Sequence, residues 1–279
     1  MAKTEPWIHS NLATSDPHAV RHAIRHSQYT GHTAGLCDGL LQCNLVVLPQ
    51  ILAADFYQFC QQNSVFCPLL AKSAVGQYCI ESLGVNIDLR TDLPQYNIYE
   101  AGELTGSRSD VSELWRNDFV AFAVGCSFTF ERALVKAGIA MRHIDQDVTV
   151  PMYKSDIQTN SVGPFGGPAV VSMRPIKVSD VEKTNDICEQ YLHAHGVPIH
   201  VGDPSIIGIS NIKKPDWGSP VTIKENEVPV FWGCGVTTQV AVATAAPEIC
   251  ITHAPGAMLI TEIDELSNSD WRTAGPLDE

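Results

Sequence analysis

The chain has 279 residues, enough to bury a substantial core, and its 44% hydrophobic and 18% charged content is that of a folded globular protein, which excludes a disordered chain. A net charge of −13 opposes binding to phosphate backbones, so nucleic acid is excluded as an expected partner. No run approaches the ~18 apolar residues that span a bilayer, so no membrane partner is expected.

Met1 to Asn11 lacks the apolar stretch of a secretory leader, and a cytoplasmic location is expected. Asp16-Pro17 then caps a helix, HAVRHAIRHS, on which Arg21 and Arg25 lie four residues apart on one face. They fit either a solvated charged face or a pair of cations that meets a carboxylate. LLQCNLVVLP reads as a strand, and Pro49 opens a helix whose apolar residues 51, 52, 56 and 59 recur at helical spacing. Residues 86–99 are polar and turn-prone. Arg90 within them is a candidate substrate clamp, with a salt bridge to Asp88 or Asp92 as the alternative. NIYEAGEL reads as a short strand.

The glycine-proline loop SVGPFGGP leads into AVVSMRPI, an apolar strand that suggests burial on both faces. Arg174 stands at its end, where α/β proteins gather ligand-binding side chains, and is a candidate for holding an anion. A helix is expected over 178–196, capped by Ser179 and stopped by Gly196, and then the strand VPIHVGDP. His200 and Asp203 end that strand and are placed to orient a substrate. His193 and His195 form H-x-H near a helix end, which does not set both rings on one face, and no metal is expected there.

Two windows echo each other. VAFAVGCSFTFERALVKAG (120–138) and PVFWGCGVTTQVAVATAA (229–246) each run from an apolar strand through Gly-Cys into a helix, and superpose without a gap. Gly125 matches Gly233, Cys126 matches Cys234 and Thr129 matches Thr237, while Glu131 faces Gln239. Each window then leads to a histidine and another apolar strand, so 120–153 and 229–262 form a predicted pseudo-repeat. Such a corner exposes backbone N–H groups and the positive end of a helix dipole, so Ser127, Cys234, Thr237 and Gln239 join Arg174 as expected substrate-binding residues.

For chemistry, Cys126 sits where a helix dipole lowers a thiol pKa, and it serves as a nucleophile or as a small residue in a tight turn. Glu131 is either a helix-capping carboxylate or a general base. His253, in the loop-like THAPG, is the leading acid/base candidate, with Asp203 beside it in the catalytic set. Nine cysteines without a C-x-x-C pair argue against disulfides and against a cysteine zinc site. No dinucleotide, Walker or nucleophile-elbow motif is present, and no cofactor is expected.

At GCSFTFE, VVSMRP, HGVPIHVGDPSIIGI, VPVFWGCGVT and ITHAPGAML the chain resembles the hydro-lyase family related to D-glutamate cyclase. The likeness extends to TAGLCDGLLQCNLVVLP and DLRTDLPQY, with Glu262 standing where the family usually has aspartate. It implies a lyase that removes water from a small carboxylate or amino acid, with D-glutamate closing to 5-oxo-D-proline. A carboxylate-binding protein without turnover, or acyl transfer through Cys126, are the alternatives. The expected fold is α/β or α+β: a mixed sheet with flanking helices in one domain over 1–279, with a homo-oligomer as the expected self-association.

Overall fold

The computed structural model describes residue 12 and residues 16–266, so Met1 to Asn11, where no secretory leader is expected, lies outside the described residues. In chain order the elements are α1 (Pro17–Arg25), β1 (Leu40–Pro49), α2 (Gln50–Gln62), β2 (Leu69–Lys72), β3 (Tyr96–Glu100), β4 (Glu103–Arg108), β5 (Phe119–Gly125), α3 (Phe128–Lys136), α4 (Arg142–Asp145), β6 (Met152–Gln158), β7 (Pro168–Lys177), α5 (Val181–Cys188), β8 (His200–Val201), β9 (Glu227–Gly233), α6 (Thr237–Ala245), β10 (Cys250–His253) and β11 (Leu259–Asp264). One sheet runs β2-β5-β1-β10-β3-β4, with β11 also on β1, and a second runs β6-β7-β9-β8. Every pairing among the described residues is antiparallel, so the α+β alternative holds and the expected mixed sheet is corrected. The apolar run of β7 is buried from Ala169 to Ile176, as predicted, but inside an antiparallel sheet covered on both faces rather than a parallel one.

The two Gly-Cys units each cross from one sheet to the other. β5 lies in the first sheet, yet Phe130 and Leu134 of α3 pack on Ile176, Val230 and Trp232 of the second. β9 lies in the second sheet, yet Ala241 and Val242 of α6 pack on Val46, Leu48, Phe122 and Val124 of the first. Both crossings occur at Gly-Cys, so the two corners are brought to the junction of the sheets. Phe56 and Phe59 of α2 complete the core under the first sheet, with Phe56 edge-on to Phe122 and Phe165.

Asp16 caps α1 as its sequence predicts, accepting from the His18 N–H at 3.1 Å. Arg21 and Arg25 meet carboxylates of their own chain. Arg25 grips both oxygens of the fully buried Asp92, and Arg21 reaches Glu262 and the carbonyl of Ile260. Three local readings are corrected. NIYEAGEL is not one strand but a hairpin that turns at Ala101-Gly102 between β3 and β4. The helix expected over 178–196 is regular only in α5, with a short 3-10 turn on either side, and Ser179 bonds the Asp180 side chain instead of capping it. The VPIHVGDP strand is paired only at His200 and Val201.

Candidate active site

Each corner needs a glycine because backbone lies against it. A Cβ on Gly125 would sit 1.8 Å from the His193 carbonyl oxygen, and one on Gly233 would sit 2.4 Å from that of Val65. Asn44, a polar residue inside the apolar strand β1, ties the corners together. Its Nδ2 donates to the Gly125 carbonyl at 2.6 Å and the Val124 carbonyl at 3.2 Å, and a Cβ on Gly235 would come within 2.3 Å of the same nitrogen. The carbonyl of one corner and the backbone of the other thus meet across one side chain.

The first turns of α3 and α6 begin at these corners. Thr129, Glu131, Thr237, Thr238 and Gln239 donate their backbone N–H groups within the turns, and Cys234 donates to Val170. Among the described residues, the N–H groups of Ser127 and Gly235 have no acceptor. Two side chains of the same turns are also unsatisfied: Thr129 Oγ1 and Gln239 Nε2 are buried without a partner among the described residues. Thr237, by contrast, spends its hydroxyl on the backbone of Val170.

Cys126 and Cys234 are buried, with 8% of each residue exposed. Burial pushes Cys126 up to about 12, against the Phe128 N–H that points at it, and the nearby Cys234 adds to the rise. Burial pushes Cys234 up to about 11 against the N–H of Val236. The expected dipole-lowered thiolate at Cys126 is therefore corrected: desolvation outweighs the helix terminus, and both sulfurs carry their protons at neutral pH.

Beneath the first corner lies a buried ion pair. Arg174 is fully buried, and its Nε donates to Glu131 Oε1 at 2.9 Å, Nη1 to Ser172 Oγ at 2.8 Å, and Nη2 to Ser127 Oγ at 3.0 Å and to Glu131. Its guanidinium lies between the rings of Phe130 and Trp232, 5.1 and 5.2 Å from their centroids. His143 meets the other oxygen of Glu131 at 3.2 Å. Burial alone would raise the Glu131 pKa, but the charges of His143 and Arg174 prevail and hold it at about 2. Glu131 is neither a helix cap nor an unpaired base, and Arg174 has its donors committed inside the protein rather than turned to a ligand. Arg174 instead holds the oxygen of Ser127, leaving that hydroxyl hydrogen free to point elsewhere.

The remaining candidates lie apart from this junction. His253 ends β10 and is not in a loop. β1 passes from β10, which pairs Val46 and Val47, to β11, which pairs Leu40 to Cys43, and His253 Nδ1 lies 3.3 Å from the N–H of Leu45 in the gap between them. Nδ1 also lies 3.4 Å from the Leu45 carbonyl, so it is engaged by the backbone of β1, and burial lowers the ring's pKa to about 4. His200 Nε2 donates to the Asp203 carbonyl, and the Asp203 carboxylate caps a short 3-10 turn by accepting from Ser205. Arg90 takes the salt-bridge alternative, bidentate to Asp88 and stacked 3.6 Å over Tyr78. Among the described residues no three His, Cys, Asp or Glu side chains gather where they could hold a metal ion.

Four residues not chosen from sequence complete the junction: Asn44, His143, Ser172 and His195. His195 adopts φ 79°, its Nδ1 contacts the Val65 carbonyl at 2.9 Å, and burial lowers its pKa to about 4. The signals available are an asparagine and a serine interrupting otherwise apolar strands, the histidine that follows the first window for His143, and the H-x-H pair for His195, whose spacing speaks only against a metal site.

Comparison with known proteins places these residues in a family context. The family described as D-glutamate cyclase matches residues 120–262, which contain both corners. A protein of Dinoroseobacter shibae named "Putative hydro-lyase" is 52% identical over 261 residues, covering 94% of this chain and 87% of that one. Proteins of the same name from Verminephrobacter eiseniae and a Jannaschia species are each 48% identical, over 264 and 253 residues, covering 92% and 91% of this chain and 96% and 95% of theirs.

Proposed function

The chain belongs to the D-glutamate cyclase family of hydro-lyases, and from that premise we propose that it closes D-glutamate to 5-oxo-D-proline with loss of water, at the junction of its two Gly-Cys corners. One observation carries the reading: the N–H groups of Ser127 and Gly235, at two helix N-termini joined across Asn44, have no acceptor among the described residues, which suits them to receive a carboxylate oxygen. The same donors favour the tetrahedral intermediate, in which that oxygen carries a full negative charge.

In the forward reaction the substrate amine attacks its own γ-carboxyl carbon. A C–N bond forms, a C–O bond breaks, and two protons from the ammonium group leave on the departing oxygen as water. The Ser127 hydroxyl, held through its oxygen by Arg174, relays one of these two protons, giving its own to the departing oxygen and taking one from the ammonium group in return. Glu131 and His143 act through Arg174: the ion pair fixes the guanidinium and so the hydroxyl. The still-protonated thiols of Cys126 and Cys234 supply further exchangeable protons at the corners.

The test is turnover in both directions by purified protein, read by mass spectrometry. D-glutamate should lose one water, and 5-oxo-D-proline in heavy-oxygen water should return D-glutamate with one heavy oxygen in its side-chain carboxylate. Binding of D-glutamate without conversion either way would reduce the site to a carboxylate receptor, and water loss from a different hydroxy acid instead would overturn the substrate.

A further inference from the structure

β4 is an edge strand with no neighbour on its outer side among the described residues, and all six of its residues, Glu103 to Arg108, are exposed. An open edge presents a row of N–H and C=O groups that pair with another strand unless lysine, proline or a covering element blocks it. The sequence ELTGSR holds neither lysine nor proline. A β-bulge is a further usual protection, and β4 has one, at Thr105.

We propose that this edge pairs with β4 of a second copy of the chain, antiparallel about a two-fold axis between Thr105 and Gly106, so that Glu103 of each copy faces Arg108 of the other. In an antiparallel ladder successive residues alternate between two phases, and residues directly opposite must share a phase. In β3, Tyr96, Ile98 and Glu100 share one phase, and their partners in β4 are Arg108, Gly106 and Glu103. Asn97 and Tyr99 share the other, and their partners are Ser107 and Leu104. In a regular strand Glu103 and Arg108, five residues apart, would be out of phase. The bulge removes that offset. The two-fold register therefore matches phase at Glu103 with Arg108 and at Leu104 with Ser107, and places opposite charges together twice. Charge complementarity selects a second copy over an unrelated strand, because the same six residues supply both halves of each pair. Among the described residues of one copy Arg108 has only a 3.9 Å contact to Glu113, whose side chain is 91% exposed, so little is given up.

Sedimentation equilibrium over a concentration series should show a monomer–dimer equilibrium for the wild type. Glu103→Arg and Arg108→Glu alone each set two like-charge pairs across the axis and should weaken the dimer about tenfold or more. The variant carrying both reversals restores opposite charges and should regain the wild-type dimer constant. Hydrogen exchange on the wild type gives a reading free of substitutions: β4 amides should gain protection as concentration rises. A wild type that stays monomeric, a dimer indifferent to the single reversals, or β4 amides whose exchange ignores concentration would each overturn the proposal.

Discussion

Glu131→Gln removes one charge from the buried pair and leaves the guanidinium of Arg174, fully buried, facing an amide. Breaking such a pair from one side costs about 3–5 kcal/mol, because the surviving charge keeps its desolvation penalty and loses its partner. A second route gives the same size. At about 1.4 kcal/mol for each tenfold change in proton affinity, the fall of the Glu131 pKa from 4.5 to about 2 corresponds to roughly 3 kcal/mol of preference for the charged form in the fold. That contribution is present above the ordinary carboxylate value and is lost as pH falls towards 2, so the gap between wild type and variant should close in that acid window. Urea unfolding followed by circular dichroism at neutral pH should show the loss, and the melting temperature should drop by roughly 6–20 °C. Arg174→Met added to Glu131→Gln removes the stranded cation and should recover part of the stability, giving a coupling above about 2 kcal/mol. A single-variant loss below about 1 kcal/mol, or strictly additive losses, would refute the buried-pair account.

The same geometry sets four further outcomes. His195 and His253 are held neutral by burial, near 4 against an ordinary 6.5, whereas the unfolded chain protonates them below 6.5; stability should fall by about 2 kcal/mol for each on acidification to about pH 5, and a flat melting temperature from neutral pH to that point would contradict it. Gly235→Ala drives a methyl group against Asn44 Nδ2, so cyclisation should fall about a hundredfold or more while the protein remains folded by circular dichroism; wild-type kcat/KM would remove the Gly235 amide from the reaction. Arg90→Ala should leave turnover within about twofold of wild type, since its donors go to Asp88, and a loss of a hundredfold would reinstate it as a substrate clamp. With iodoacetamide at neutral pH, peptide mapping should find Cys79, the half-buried cysteine, modified before Cys126 or Cys234; faster labelling of Cys126 would show that a thiolate forms there after all.

Local signals are legible in the sequence where the chain decides its own conformation. The Asp16 cap, the start of α2 after Pro49, the apolar run of β7 and the strand-to-helix turns at Gly125-Cys126 and Gly233-Cys234 all depend on neighbours within a turn or two. What periodicity cannot carry is which sheet a helix covers. The apolar residues of α3 give a stripe but not a partner, and only in the folded chain does Phe130 stack on Trp232, a strand from the other sheet. The readings of Arg174 as an anion clamp and of Cys126 as a lowered-pKa thiol share one premise, charge and dipole in an open cleft, and burial reverses both arguments. An arginine at a strand end binds a ligand if solvent reaches it, but Arg174 lies inside β7, paired with Val230, and at zero exposure it must find its carboxylate inside the protein, where Glu131 supplies one. A thiol at a helix start ionises if water can solvate the charge, but at 8% exposure desolvation wins. Depth below the surface is a property of the whole packing, and it decides the function of these side chains more than their positions along the chain do. Serine and glycine are the residues left with open donors, because a small side chain at a corner allows backbone amides to stay uncovered while everything around them is closed.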